Sequence, residues 1–309
     1  MMRILVSPRS FVAKESIARE LLAPYGAELV LNRTGKSYNK AQIIELLQDI
    51  DGLIAGTEPL DAEVLEKAPR LKAISRYGVG LDNVDVEYAE KKGIKVMRAA
   101  RSNSRSVAEL AIALMFNITR GVCYSDKGSR KGVECRIHGI ELTGKTLGLI
   151  GLGAIGLDVA RMASGIGMTV LAHDPYIDET LAKEKGIRLM DREALLPLCD
   201  VISLHLPLTP ESTRMVDEAF ISKMKDGAYL VNTARGGLID EDALYDALKG
   251  GKLAGAAADV FSKEPPDKEA PLLSLDNFIL TGHIGAYTKE SVNRMVEMSI
   301  KNLITMLFE

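Results

Sequence analysis

Short apolar stretches alternate with amphipathic stretches along the whole chain. In the first third, β-branched and aliphatic residues form short runs, which we predict to be the strands Arg3–Ser7, Ala27–Leu31, Gly52–Ala55, Lys72–Ser75 and Ile94–Met97. Apolar residues at helical spacing lie between them, as in Asp61–Lys67 and Val84–Lys92. Strands that alternate with helices predict βαβ units and a parallel sheet.

A second series of the same kind begins at about residue 144. Its predicted strands are Thr146–Ile150, Thr169–His173, Val201–Leu206, Tyr229–Asn232, Gly255–Val260 and Phe278–Leu280. Two consecutive series predict two α/β domains, each with a parallel sheet. The final stretch, Lys289–Phe308, has helical spacing, and we expect it to cross back to the first domain.

The segment between the two series contains a nearly continuous apolar helix, Leu110–Phe116. Ser106 and Glu109 form a capping-box pattern before it, so we interpret Glu109 as a helix cap and not as a catalytic residue. A helix that is apolar on all sides has to be covered on all sides. We therefore expect it to run between domains or to enter a dimer interface.

Composition narrows the class of protein. At 309 residues, two domains are expected, and 47% hydrophobic with 26% charged residues is typical of soluble globular proteins. A net charge of -3 without a basic block argues against nucleic-acid binding. No apolar run is long enough for a membrane helix or a secretory signal. Cys123, Cys135 and Cys199 have no spacing typical of disulfides or zinc, so no metal site and a cytoplasmic protein are expected.

The stretch "LGLIGLGAIG", residues 147–156, predicts a dinucleotide-binding turn. A predicted strand is followed by Gly151, Gly153 and Gly156 at GxGxxG spacing and then by a helical pattern. Asp174 ends the next strand, 18 residues after Gly156, where a ribose-binding carboxylate is expected. No arginine follows Asp174 to receive a 2′-phosphate, so the predicted coenzyme is NAD and not NADP.

Three later stretches place one strong polar residue each at the carboxyl end of a predicted strand, where ligands bind in a parallel sheet. These residues are Arg235, Glu264 and His283. Arginine binds carboxylates through its forked guanidinium, and a histidine beside a carboxylate is an oriented proton donor. Each of the three has an ordinary structural interpretation by itself, but together behind a dinucleotide fold they indicate catalysis. His205 has no acidic residue near it in sequence and is interpreted as structural.

The chain resembles the D-isomer-specific 2-hydroxyacid dehydrogenases over essentially its full length. The matching motifs are "RYGVGLDNVD" (76–85), "GLGAIG" (151–156), "HLPLTPES" (205–212), "NTARGGLIDEDAL" (232–244), "DVFSKEPP" (259–266) and "HIGAYT" (283–288). The resemblance implies two Rossmann/flavodoxin-like parallel-sheet domains. Residues 1–98 and 287–309 would form a discontinuous substrate-binding domain, and residues 99–286 a Rossmann domain that binds NAD.

The resemblance also implies roles for individual residues. The catalytic residues would be Arg235, Glu264 and His283. The predicted coenzyme contacts are Val79, Gly151, Gly153, Ala154, Ile155, Gly156, Asp174, Leu206, Thr233, Ala234, Asp259, His283 and Gly285. The predicted substrate contacts are Arg76, Gly78, Val79, Gly80 and Arg235, with the backbone amides of Val79 and Gly80 holding the substrate carboxylate. The family further implies a homodimer that converts a small 2-oxo or 2-hydroxy acid.

Departures from the family leave the substrate open. Gly282 stands where proline commonly precedes the catalytic histidine. The loop after the third strand is Ala55-Gly56-Thr57-Glu58, without the phosphate-binding arginine common in the phosphoglycerate-oxidising branch. Arg76, Arg98, Arg101 and Arg105 remain as other basic residues, so 3-phosphoglycerate, hydroxypyruvate and glyoxylate all stay candidates.

Two other functions compete with this interpretation. The first is an NAD-sensing interaction protein on the same fold, similar to the family's transcriptional corepressors, which can retain the three catalytic residues. The second is formate oxidation, which requires a neutral amide partner for the histidine and is disfavoured by Glu264.

Overall fold

The computed structural model describes residues 1–309. The strands are β1 (Arg3–Val6), β2 (Glu28–Leu31), β3 (Gly52–Ala55), β4 (Ala73–Arg76), β5 (Lys95–Arg98), β6 (Thr146–Ile150), β7 (Thr169–His173), β8 (Arg188–Leu189), β9 (Val201–Leu204), β10 (Ala228–Asn232), β11 (Leu253–Ala258) and β12 (Phe278–Leu280).

Twelve α-helices connect and cover the strands. They are α1 (Glu15–Leu22), α2 (Lys40–Leu46), α3 (Ala62–Glu66), α4 (Val86–Lys91), α5 (Ser104–Arg120), α6 (Val122–Ser129), α7 (Ala154–Ile166), α8 (Glu179–Glu184), α9 (Arg192–Leu195), α10 (Glu218–Lys223), α11 (Glu241–Lys249) and α12 (Lys289–Phe308). Short 3-10 helices lie at Arg9–Lys14, Ala23–Tyr25, Leu47–Asp49, Leu196–Leu198, Gly236–Leu238 and Pro271–Ser274.

The first compact unit consists of Met1–Asn103 and Tyr287–Glu309. Its five strands are all parallel, in the order β2-β1-β3-β4-β5. Helix α12 packs closely on this sheet: a Cβ at Gly52 would lie 2.8 Å from Leu307 Cδ1, so that side chain would have to shift. The turn after β5 is held to α12 by Arg294, whose Nε donates to the carbonyl oxygen of Ser102.

The second unit, Ser104–Ala286, contains a seven-stranded parallel sheet. The strand order is β12-β11-β10-β9-β6-β7-β8, so the order reverses beside β6. Both faces of the sheet are buried: in β10, Leu230 packs into the apolar core on one face, and Tyr229 and Val231 pack into the core on the other. Successive residues of a strand point to opposite faces, so this run of apolar residues is what a strand covered on both sides requires.

The predicted α/β class with two parallel-sheet domains is confirmed. Several predicted strand limits were wrong by one or two residues. Strand β9 ends at Leu204 and not at Leu206, and β11 spans Leu253–Ala258 and not Gly255–Val260. Strands β4 and β5 each begin and end one residue later than predicted. The two-residue strand β8 was not predicted.

The predicted capping box at Ser106 and Glu109 was wrong. Helix α5 already begins at Ser104, so Ser106 lies in its first turns and is buried. The Ser106 hydroxyl donates to the carbonyl oxygen of Gly285 at 2.5 Å. Glu109 is exposed and lies 3.8 Å from Arg105 in an ion pair along the helix surface. Helix α5 is also not buried on all sides, since Phe116 is 40% exposed.

No single helix combines the length and the apolar character needed to cross a membrane. Helices α5 and α6 meet that requirement only when taken together, and the chain bends by 63° between them.

Candidate active site and coenzyme crevice

The glycine-rich turn joins the end of β6 to the start of α7. Gly151 has φ +96°, and a Cβ there would lie 2.5 Å from the carbonyl oxygen of His205. A Cβ at Gly156 would lie 2.4 Å from the carbonyl oxygen of Gly151. Both positions therefore require glycine, the first for backbone conformation and the second for close packing. Gly153 precedes the helix, and no atom lies within 4 Å of its Cβ position, so this side of the turn is open.

The residues around this turn fit a dinucleotide. Ala154 and Ile155 begin α7, and the first amides of a helix have no helical acceptor, so they can bind a pyrophosphate. Asp174 follows β7 beside the turn: one carboxylate oxygen accepts from the Leu152 amide at 2.7 Å, and the other accepts from the Tyr176 amide at 2.8 Å. The turn lies where the strand order reverses, the usual ligand position in such sheets.

Buried polar atoms without a protein partner lie after β9 and β10. Thr233 Oγ1 and His205 Nδ1 are both buried, and neither makes a hydrogen bond in the protein. The other ring nitrogen of His205 lies 2.9 Å from Ser203 Oγ. Burial lowers the pKa of His205 to about 4, so this imidazole is neutral near pH 7. Because buried polar groups are usually paired, Thr233 is suited to bind a ligand on this edge, where Leu206 and Ala234 also lie.

His283 and Glu264 form a hydrogen-bonded pair at the carboxyl end of the sheet. His283 Nδ1 lies 2.7 Å from Glu264 Oε2. The other oxygen, Oε1, accepts from the Phe261 amide at 3.1 Å, which fixes the direction of the carboxylate. Because Nδ1 binds Glu264, the Nε2 atom of His283 is left to exchange a proton with a ligand. The side chains of His283 and Glu264 are 49% and 39% exposed, so the pair remains accessible.

The two partners stabilise each other's charged form. The hydrogen bond to Glu264 raises the pKa of His283; burial opposes this effect, and the charges of Glu264 and Asp259 add to it. Burial by itself would raise the pKa of Glu264, but the hydrogen bond to His283 and the imidazolium charge outweigh it, and the net pKa is lowered. The pair therefore favours an imidazolium beside a carboxylate.

Asp259 anchors the loop that carries His283. Its buried carboxylate accepts from Thr281 Oγ1 at 2.6 Å and from the amides of Ile284 and Gly285 at 2.8 Å each. The backbone carbonyl of Asp259 accepts from the His283 amide, also at 2.8 Å. The sequence predicted Asp259 and Gly285 as coenzyme contacts, and this mutual anchoring was missed. Asp259 directly follows β11, and a carboxylate that ends a buried strand is the signal that could have revealed it.

Arg235 follows β10 and is oriented by its neighbours. Its guanidinium donates to the carbonyl oxygen of Ala234 at 2.7 Å, and its own carbonyl accepts from Asn232 Nδ2 at 2.8 Å. The charge of Arg235 lowers the pKa values of both Glu264 and His283, so the guanidinium lies beside this pair. The structure thus brings together all three predicted catalytic residues.

The remaining predicted substrate contacts belong to the first unit. Arg76 ends β4 and donates to Asn83 Oδ1 at 3.3 Å and to the carbonyl oxygen of Tyr77. Gly78 has φ +139°, a backbone conformation that favours glycine. The amides of Val79 and Gly80, next in the turn, donate to no backbone carbonyl. No group of three or more His, Cys, Asp or Glu side chains is placed to hold a metal ion.

Residues 112–285 match the family model described as "D-isomer specific 2-hydroxyacid dehydrogenase, NAD binding domain". The chain is 40% identical to a glyoxylate reductase from Korarchaeum cryptofilum over 97% of its own length and 92% of that protein. It is also 40% identical to a D-3-phosphoglycerate dehydrogenase from Archaeoglobus fulgidus over 94% of its own length, but it covers only 54% of that protein.

Among solved structures, the fold is similar to D-lactate dehydrogenase from Aquifex aeolicus complexed with NAD and lactic acid. The TM-score is 0.85 with 34% sequence identity, and the match covers 97% of this chain and 93% of that one.

Proposed function

The chain belongs to the D-isomer-specific 2-hydroxyacid dehydrogenase family, and we propose that it interconverts a 2-oxo acid and a D-2-hydroxy acid with NAD as coenzyme. The observation that carries the proposal is the pairing of His283 with Glu264 beside Arg235 on the unit that holds the glycine-rich turn. This arrangement supplies a proton donor and a carboxylate-binding cation on the same edge of the sheet.

The coenzyme is assigned to the crevice at the glycine-rich turn. The helix amides at Ala154 and Ile155 would hold the pyrophosphate, and Asp174 would accept from the adenosine ribose hydroxyls. When bound, the nicotinamide supplies or takes up the hydride. Asp174 would also repel a 2′-phosphate, which favours NAD over NADP.

His283 is assigned as the acid–base catalyst. In reduction, its Nε2 proton moves to the substrate carbonyl oxygen, and in oxidation the neutral imidazole takes that proton back. Glu264 holds the ring by Nδ1 and keeps it protonated, as the raised pKa of His283 indicates. Asp259 keeps the loop of His283 in place through its buried carboxylate.

Arg235 is assigned to the substrate carboxylate. A guanidinium binds a carboxylate through two parallel N–H groups, which would orient the neighbouring carbonyl. The positive charge of Arg235 beside that carbonyl also favours the negative charge that develops on its oxygen during reduction.

The proposed substrates are hydroxypyruvate, glyoxylate and phosphohydroxypyruvate, with 3-phosphoglycerate as the oxidised substrate that corresponds to the last. Relatives named glyoxylate reductase, hydroxypyruvate reductase and D-3-phosphoglycerate dehydrogenase support this group. We further propose a cytoplasmic homodimer, as the family implies.

The test is steady-state oxidation of NADH with each 2-oxo acid, followed at 340 nm as an optical readout of NADH loss. We expect turnover of at least one acid and a loss of roughly a hundredfold or more in His283→Ala, the usual scale for acid–base catalysis. His138→Ala, at an exposed histidine of the same unit, is the matched control and should retain activity. Binding of NADH without turnover of any acid would instead favour an NAD-sensing interaction protein.

A further inference from the structure

The loop that carries Glu264 is held by a second glutamate, Glu241. The Ser262 amide donates to Glu241 Oε1 at 2.8 Å, and the neighbouring Phe261 amide donates to Glu264 Oε1 at 3.1 Å. Two successive amides of the loop therefore bind two different carboxylates. Glu264 also binds His283, whereas Glu241 belongs to α11. A hydrogen bond from outside the His283–Glu264 pair thus fixes the residue next to the one that Glu264 binds.

Glu241 is the first residue of α11, but it does not cap this helix. Asp240 is the cap, because its Oδ1 atom accepts from the amides of Asp242 and Ala243 at 3.2 Å and 3.3 Å. The Glu241 side chain instead reaches a loop amide that lies 21 residues later in sequence. A carboxylate near a helix N-terminus stays ionised at little cost, and an ionised acceptor makes a strong hydrogen bond to an amide. Glu241 is therefore suited to hold the loop.

The peptide group between Phe261 and Ser262 is also closely packed. A Cβ at Gly236 would lie 2.0 Å from the Phe261 carbonyl carbon and 2.4 Å from the Ser262 nitrogen, so the turn after β10 lies directly on this peptide and requires glycine there. The Phe261 ring is buried in the apolar core, with its centroid 6.5 Å from that of Phe278. Packing therefore holds the body of the peptide, and the hydrogen bond to Glu241 holds its N–H group.

We propose that Glu241 is a positioning residue for the proposed reaction, which holds the loop of Glu264 through the Ser262 amide and so keeps Glu264 in contact with His283. The proposal rests on the proposed function. The charges that act most strongly on His283 are those of Glu264, Asp259 and Arg235. Glu241 therefore acts on His283 through Glu264, by the place it gives to that carboxylate and not by its own charge.

Two conservative substitutions separate the contact of Glu241 from its charge. Glu241→Asp keeps the charge at the start of α11, but the shorter side chain no longer reaches the Ser262 amide. Glu241→Gln removes the charge but retains an oxygen that can accept from this amide. The hydrogen bond to Glu264 is the largest cause of the raised pKa of His283, so a loosened Glu264 should let that pKa fall. The fall is expected in Glu241→Asp and not in Glu241→Gln.

The pKa of His283 can be measured by NMR titration of the imidazole signals in the whole protein without substrate or coenzyme. The chain has four histidines, and the signal that is absent from His283→Ala identifies His283. Glu218→Asp is the matched control, because Glu218 is exposed and is likewise the first residue of a helix, α10, behind an aspartate cap. The pH profile of 2-oxo acid reduction with NADH would be recorded for the same variants.

We expect the pKa of His283 to fall by about half a unit or more in Glu241→Asp, the scale set by loss of one hydrogen bond, and to stay in place in Glu241→Gln and Glu218→Asp. The high-pH limb of reduction should move to lower pH by the same amount in Glu241→Asp. When Glu264→Gln is already present, adding Glu241→Asp should cause no further shift, because Glu241 acts only through the carboxylate of Glu264.

An unmoved pKa of His283 in Glu241→Asp would overturn the proposal, even if the unmodified protein reduces a 2-oxo acid. A fall in Glu241→Gln that equals the fall in Glu241→Asp would also overturn it, as would a further fall on the Glu264→Gln background, because Glu241 would then act by a route other than its hold on Glu264. Absence of turnover of every 2-oxo acid by the unmodified protein would overturn the proposed function, and this inference with it.

Discussion

Glu264 Oε2 lies 2.7 Å from His283 Nδ1, although the two residues come from separate loops of the second unit. The contact fixes which nitrogen of the imidazole is used for structure and which is left for chemistry. It also raises the pKa of His283 by stabilising the imidazolium. The pH dependence of the reaction should therefore show whether the contact with Glu264 sets the pKa of His283.

Replacing Glu264 with Gln should move the pH profile of reduction. Reduction requires protonated His283, so the rate is full below the pKa of His283 and is lost as pH rises through it. Glutamine retains the shape but not the charge, so the pKa of His283 should fall and the high-pH limb should move to lower pH. Oxidation of the hydroxy acid requires neutral His283, so its rate should instead rise as pH rises through the same pKa. A profile that stays in place, with the chemical step rate-limiting, would mean that Glu264 does not set the pKa of His283.

Asp259→Asn should lower both the free energy of unfolding and the rate of the reaction. The amide group would turn a donor toward Thr281, Ile284 or Gly285, which donate to the carboxylate now. Loss of one such buried hydrogen bond costs about 1–3 kcal/mol, measurable by urea unfolding, and kcat should fall as the loop of His283 loosens. Asp226→Asn is the control, since Asp226 is an exposed partner of Lys252 and surface pairs contribute little. An unfolding midpoint equal to that of the unmodified protein would contradict the anchoring role.

Asp174→Ala should narrow the preference for NADH over NADPH. The substitution removes the charge that repels a 2′-phosphate, but it also frees the Leu152 amide, so efficiency with NADH should fall as well. The ratio of kcat/KM for the two coenzymes separates these effects. Asp158→Ala, at a residue in an ion pair with Arg161 on α7, should leave the ratio unchanged. Equal use of both coenzymes by the unmodified protein would refute the assignment of Asp174.

Solution assembly should follow from the apolar surface of α5 and α6. Phe116 and Val122 are 40% and 53% exposed, and Val133 and Ile137 nearby in sequence are exposed as well. We expect a homodimer by light scattering at micromolar concentration, with a mass near twice 33.5 kDa. Val122→Asp should shift the mass toward the monomer, whereas Leu198→Asp, at an exposed leucine elsewhere in the same unit, should not. A monomeric unmodified protein would contradict the expectation.

The architecture could be predicted from the sequence because burial in the core determines the pattern of apolar and polar residues in each strand and helix. Strands β6, β7 and β12 were predicted residue for residue, as was α12, since each is a clear apolar or amphipathic run. Strand β8 was missed because two residues are too short to show a period. The start of α5 was misplaced because Ser106 and Glu109 match a capping box by spacing, while the serine hydroxyl in fact bonds to Gly285, far away in sequence.

The site was predictable only in part, because some of its contacts join residues that are far apart in sequence. The glycine spacing and Asp174 lie within one local motif, so their roles could be inferred from sequence. The contacts of Asp259 and of Glu241 depend on loops that meet only after the strands pair. For Glu241, the motif around it was visible, but its bond to the Ser262 amide was not.

His283 has φ +55°, in the left-handed region, which is uncommon for any residue that has a side chain. This conformation costs about 1 kcal/mol or more. Selection for heat resistance and selection for turnover would therefore pull position 283 in opposite directions. Libraries screened for thermal tolerance alone should accumulate glycine or asparagine there, and libraries screened for turnover should keep histidine. The proposed proton donor thus occupies a position whose backbone conformation is more favourable for a different amino acid.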